Sequence, residues 1–168
     1  MGSVLYGASL WQNRQKESNI RYDIIGTNST AFTIGDPVTV SSGKLAVAGT
    51  TNTVVGIATK TVTMASNNET VAKVTPGYLP VYQDEVYLMG TTADMTALTA
   101  PGTYYCLTAA TTATVQVDNA GANTGASRVV EIVKVDPQNI GGTGASSGLR
   151  QVLVRVIKTP YSNVTITA

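Results

Sequence analysis

Thr53-Val54-Val55-Gly56-Ile57-Ala58 is a run of β-branched and small apolar residues interrupted by one glycine. Valine and isoleucine are stiff at χ1 and suit a pleated surface, so the run reads as part of a strand-like stretch from Thr53 to Ala65. A glycine inside such a stretch marks a bulge or bend, which places one at Gly56. The pattern returns further along. Val54-Val55-Gly56-Ile57 with Val71-Ala72-Lys73-Val74 is echoed by Val129-Val130-Glu131-Ile132 with Leu153-Val154-Arg155-Val156. Glycine-led segments precede each copy: Gly35-Asp36-Pro37-Val38 in the first and Gly102-Thr103-Tyr104-Tyr105 in the second. The order is kept while the second copy has longer loops, as insertions at loop tips would leave it. Duplication is one explanation; accidental repetition in a valine-rich chain is the other.

Working outward, strands are expected at residues 20–25, 37–40, 44–48, 69–75, 78–82, 85–89, 103–107, 114–118, 128–135, 149–159 and 163–167. Ser41-Ser42-Gly43 reads as a hairpin turn, Ser66-Asn67-Asn68 and Pro76-Gly77 as turns, and Pro80 as the mark of a sheet edge. Residues 94–98 carry the one helical turn expected. Short strands with turn signals at regular spacing indicate an all-β fold, a compact β-barrel or sandwich. Read with the echo, the chain divides into an extended N-terminal arm (1–19), a first β module (20–90) and a second (91–168), the two modules forming one structural unit.

The composition agrees. Thr, Val, Ala and Gly make up nearly half of the 168 residues, and the strong helix formers are scarce. Only 12% of residues are charged and the net charge is +1. Neither sign dominates, which argues against nucleic acid or a membrane surface as partner. A chain of this length buries enough surface to be stable without disulfides or metal. The single Cys106, among Tyr104, Tyr105 and Leu107, is expected to be a buried inert thiol, consistent with synthesis in a reducing cytoplasm.

With no histidine, catalytic triads, Cys-His pairs and histidine-based zinc sites are excluded. Ten acidic residues are scattered rather than paired for glycosidase chemistry. Asp84, Glu85 and Asp94 lack any recognised calcium spacing. Gly141-Gly142-Thr143-Gly144 lacks the lysine and following helix of a phosphate loop. Asn-x-Ser/Thr triplets at Asn28, Asn68 and Asn163 are expected by accident in so threonine-rich a chain. Tyr78, Tyr82 and Tyr87 cluster without interleaved basic residues and read as core or interface. No catalytic residue, cofactor or metal site is expected.

Residues 1–19 stand apart. They hold Trp11, the only tryptophan, with Leu5, Tyr6 and Leu10, followed by the polar run Gln12 to Asn19. Disordered tails are poor in such residues, so this arm is expected to dock, on its own domain or on a neighbouring subunit. Binding energy concentrates in a few Trp, Tyr and Arg residues. Leu5, Tyr6, Leu10, Trp11, Arg14 and Arg21 are therefore the candidate partner-binding residues.

Two patterns carry a family resemblance. Leu98-x-x-Pro101-Gly102-x-Tyr104-Tyr105-x-Leu107 followed by Val129-Val130-x-Ile132 resembles a module of tailed-bacteriophage structural proteins. Gly35-Asp36-Pro37-Val38 with Val55-Gly56-Ile57-Ala58 is similar to small phage capsid decoration (cement) proteins. Together they cover roughly residues 30 to 160. Glu131 departs from the module, which often has glycine there. The resemblance implies a non-enzymatic virion protein on the outer capsid surface, a homo-oligomer (trimer) that clamps neighbouring major capsid protein subunits and reaches out with its arm. A tail, head-fibre or baseplate component, or a receptor- or glycan-binding adhesin module, are the alternatives.

Overall fold

The computed structural model describes residues 8–12, 20–50, 52–91, 102–108, 115–118, 128–135 and 151–160, and they form an all-β fold. The strands are β1 (Ala8–Gln12), β2 (Ala31–Phe32), β3 (Pro37–Ser41), β4 (Lys44–Val47), β5 (Gly56–Ala58), β6 (Val62–Thr63), β7 (Tyr78–Pro80), β8 (Val86–Gly90), β9 (Tyr104–Leu107), β10 (Val117–Asp118), β11 (Val130–Val135) and β12 (Gln151–Val156). They make a four-stranded sheet β4-β3-β5-β7, a two-stranded sheet β2-β6 and a six-stranded sheet β1-β8-β12-β11-β9-β10.

The four-stranded sheet is closed by an irregular strap, residues 20–27. At one side Arg21 and Tyr78 of β7 exchange backbone hydrogen bonds of 2.8 and 3.0 Å. At the other, Leu45 of β4 donates to Ile25 and accepts from Thr27, both at 2.8 Å. Residues 20–25, expected as a strand, thus contribute isolated bridges instead. The strap meets β7 antiparallel and β4 parallel, through one isolated bridge on each side rather than a continuous ladder. Ser42 and Gly43 between β3 and β4 have φ of 49° and 75°, as a two-residue hairpin turn of type I′ requires.

Inside this closed sheet lie Phe32, Val38, Leu45, Ala58, Met64 and Tyr78. Gly56 permits the tight fit. A Cβ on it would stand 2.6 Å from the Leu79 carbonyl oxygen and run into the Tyr78 ring, so only glycine lets β5 and β7 approach this closely. The strand-like stretch 53–65 accordingly divides into β5 and β6.

Residues 69–75 are not a strand. Asn68–Ala72 is a π-helical turn that ends at Lys73 in the left-handed region (φ 51°). The cause is Asn68, which is fully buried: its amide donates to the carbonyls of Gly26 (2.6 Å) and Val74 (3.0 Å) and accepts from Val74 N–H (2.9 Å). These side-chain bonds satisfy backbone groups that a ladder would otherwise use. Val71, an echoed valine, is 71% exposed. The echo therefore does not extend to strand pairing. Its second copy forms the adjacent strands β11 and β12, whereas in the first copy β5 pairs with β3 and β7.

The six-stranded sheet curls into a half-barrel, and β10 returns to the end of β8 through a parallel bridge between Val117 and Thr91. Tyr87, Met89, Ile132, Val152 and Val154 line its inner face, joined by Ala48, Val54, Ile57 and Val81 from the first half, so both halves share one core. Each Val, Ile or Met side chain among them contributes roughly 1.5–3 kcal/mol by leaving water. Val86, Leu88 and Leu153 form a smaller buried cluster on the opposite face. Backbone bonds stitch the halves together: Leu107 N–H to Thr50 (3.1 Å) and Val54 N–H to Lys158 (2.8 Å). The strand Val86–Gly90, expected to end the first module, belongs to the second sheet.

Candidate partner-binding surface

The arm's central residues form β1, which runs antiparallel along β8 with Ala8 opposite Met89, Ser9 opposite Leu88 and Leu10 opposite Tyr87. The register then shifts so that Gln12 faces Val86, leaving Trp11 as the extra residue of a bulge. A bulge re-aims the chain locally and is common beside binding sites. Leu10 and Trp11 are thereby brought to one sheet edge. Leu5, Tyr6 and Arg14 lie outside the described residues. Arg21 is exposed, on the strap at the edge of the other sheet.

Beside Arg21 the strap carries exposed apolar groups that sequence reasoning did not single out. Ile20 and Tyr22 are about half exposed, and Lys60 stacks its ammonium 5.2 Å from the Tyr22 ring centroid. Ile34, 60% exposed, adjoins the same loop by donating its N–H to Thr61 Oγ1 at 3.0 Å. No sequence signal marks these residues, because their neighbourhood is created by the strap's closure of the sheet.

The buried polar groups serve the fold. Asp36 accepts from Thr33 N–H (2.8 Å) and, across the halves, from Val115 N–H (3.4 Å). Burial pushes its pKa up, partly offset by those two donors. Glu85 accepts from the Tyr87 hydroxyl on one oxygen; its other oxygen is buried without a hydrogen-bond partner among the described residues. Burial, and then the Glu85 carboxylate, hold the Tyr87 hydroxyl well above the usual phenol range. Cys106 is buried, and desolvation, with Asp118 second, raises its thiol pKa. This is an inert environment for a thiol. Tyr78 and Tyr87 are core residues and Tyr82 is half-buried.

Among the described residues no three His, Cys, Asp or Glu side chains converge on a metal position; Asp94 lies outside them. So does the glycine loop at 141–144, and so does Asn163. Asn68 has its amide buried and fully bonded, and Asn28 uses its side-chain oxygen to accept from Glu69 N–H at 2.7 Å. Both triplets thus have structural asparagines.

Comparison with protein-family models, with curated proteins and with solved structures finds no match to this chain.

The two pieces of the Gly-Asp and Val-Gly-Ile-Ala pattern, twenty residues apart, meet directly. Gly35 N–H donates to Ala58 (2.9 Å), Ala58 N–H to Asp36 (2.8 Å) and Val55 N–H to Val38 (2.8 Å), with Pro37 opposite Ile57. Asp36 ties the preceding turn, Gly56 admits Tyr78, and Ile57 reaches the shared core. Glu131, the departure in the second copy, lies opposite Arg155 and pairs with its guanidinium at 3.4 Å.

Proposed function

We propose that this chain is a non-enzymatic virion structural protein that binds the outer surface of a tailed-phage capsid and stabilises contacts between major capsid subunits. The observation that carries the reading is the pairing of Gly35-Asp36-Pro37-Val38 with Val55-Gly56-Ile57-Ala58 across β3 and β5. The residues through which the chain resembles decoration proteins thus lie together in one structural unit. The titratable side chains at the centre of the fold, Asp36, Glu85 and Tyr87, are committed to backbone or to one another. The contact surface of this reading comprises β1 with Leu10 and Trp11, and the strap with Arg21 and Tyr22. The protein is made in the host cytoplasm and joins the head as a homotrimer.

The test is to mix purified protein with empty expanded capsids of the encoding phage. The reading requires stoichiometric binding and a raised temperature of capsid disruption. Binding to tails, cells or glycans with capsid stability unchanged would instead establish the alternatives, a tail, head-fibre or baseplate component or an adhesin module.

A further inference from the structure

Both edges of the four-stranded sheet are covered by the strap, and β10 of the other sheet is drawn back to Thr91. The remaining seam lies along β8. All five residues of β8 are buried, on both faces of the sheet, so its edge cannot be left bare without opening two apolar clusters to water. That seam is filled by β1, the one strand of this sheet that comes from outside residues 86–156. Among the described strands, β1 is paired with β8 alone.

β1 is uncharged, Ala8-Ser9-Leu10-Trp11-Gln12, and is followed by Asn13-Arg14-Gln15-Lys16-Glu17-Ser18-Asn19, an unbroken polar run. The steps from Gln12 to Ile20 reach about 28 Å when extended. We propose that the seam along β8 is a strand-acceptor site, and that in the assembled protein it receives β1 from a second copy of the chain. Exchange preserves each β1–β8 register pair, and every copy supplies one strand and needs one. A head-to-tail exchange of this kind closes into a ring when the rotation between copies permits. Strand addition at an open edge derives its affinity from backbone hydrogen bonds and its register from alternate side chains. The proposal concerns self-assembly and stands whether or not the assembly binds a capsid.

Ser9 and Leu88 face each other in the β1–β8 register and report on the exchange. Two full-length proteins of different size, one with Ser9→Cys and one with Leu88→Cys, are co-expressed and oxidised under native conditions. Cys106 stays in place, since its thiol is buried and held protonated. Exchange predicts a disulfide between the two unlike chains, and a ladder of linked copies from the double variant. A double variant that closes only within one chain, with the single-cysteine chains unlinked, overturns the proposal. So does the absence of any disulfide in folded protein, because the register itself would then be wrong. Should the Leu88 variant fail to fold, Gln12→Cys with Val86→Cys reads the same seam.

Discussion

Replacing Gly56 by alanine adds one methyl group where the backbone has no space for it. The new Cβ would lie 2.6 Å from the Leu79 carbonyl oxygen and against Tyr78 Cδ2, where ordinary contact begins at 3.4 Å. Neither neighbour can yield easily. Leu79 is in the ladder between β5 and β7, and Tyr78 is buried with its hydroxyl 3.2 Å from Asp23 Oδ1. Relief must come from separating the two strands, which weakens the pairs Gly56–Pro80, Ile57–Leu79 and Ala58–Tyr78. Overpacking of this sort costs about 1–3 kcal/mol, and a clash with backbone belongs at the upper end. The reduced freedom of the unfolded chain returns about 0.4–1 kcal/mol. The net loss is about 2 kcal/mol, which for a chain of this size lowers Tm by roughly 4–8 °C. Urea and thermal unfolding followed by far-ultraviolet circular dichroism measure it. Gly43→Ala is the control: nothing stands near its Cβ, so its cost of about 1–2 kcal/mol arises from its left-handed φ of 75° alone. A Gly56→Ala protein within about 0.5 kcal/mol of the parent, the range of an ordinary surface substitution, would refute the close approach.

Asp36→Ala strands the part-buried N–H of Thr33 and the buried N–H of Val115 and is expected to cost about 1–3 kcal/mol by denaturant unfolding, the range for one unmet buried donor. Asn68→Ala removes three bonds from the strap and the π-helical turn, with a loss of about 3 kcal/mol and faster hydrogen exchange at Gly26 and Val74. Glu69, whose pKa is lowered first by its hydrogen bond with Lys44 at 2.7 Å, adds stability above its ordinary 4.5 that is lost as pH falls through its lower folded value. The Tm gap between parent and Lys44→Gln should therefore be open at neutral pH and close in acid. Asp36 has the opposite sign: its raised folded pKa favours the native state below 3.8 and that contribution fades as pH climbs through the folded value, so Asp36→Asn should flatten this part of the pH–stability curve. Removing residues 1–19 takes away β1 and bares β8, so the shortened chain should lose stability as well as capsid binding; unchanged binding would exclude the arm as a contact.

Sequence periodicity identified most of the architecture because strands in this chain announce themselves locally. The β3–β4 hairpin was legible from its Ser-Gly turn, Pro80 from its edge position, and β8, β9, β11 and β12 from apolar runs. The errors share one cause. Residues 20–25 and 69–75 have strand-like composition, but a long-range partner sets their conformation: the two sheet edges in one case, the buried Asn68 amide in the other. The bonds to the sheet edges and to Gly26 join residues 18 to 57 positions apart, and no local pattern encodes them. Ala31–Phe32 was missed because two residues form no period. Trp11 stood out by its chemistry, yet its place at a bulge beside Val86 depends on register. The exposed neighbours Tyr22 and Lys60 meet only once the strap has closed.

Whether the protein coats a phage head can be seen in a cryo-electron microscopy reconstruction of the virion that carries it. Density for this all-β fold is expected on the outer surface of the head, in threefold clusters between major capsid subunits and in fixed stoichiometry. A head surface without it, with the protein found in the tail or absent from the particle, would rule out a decoration role.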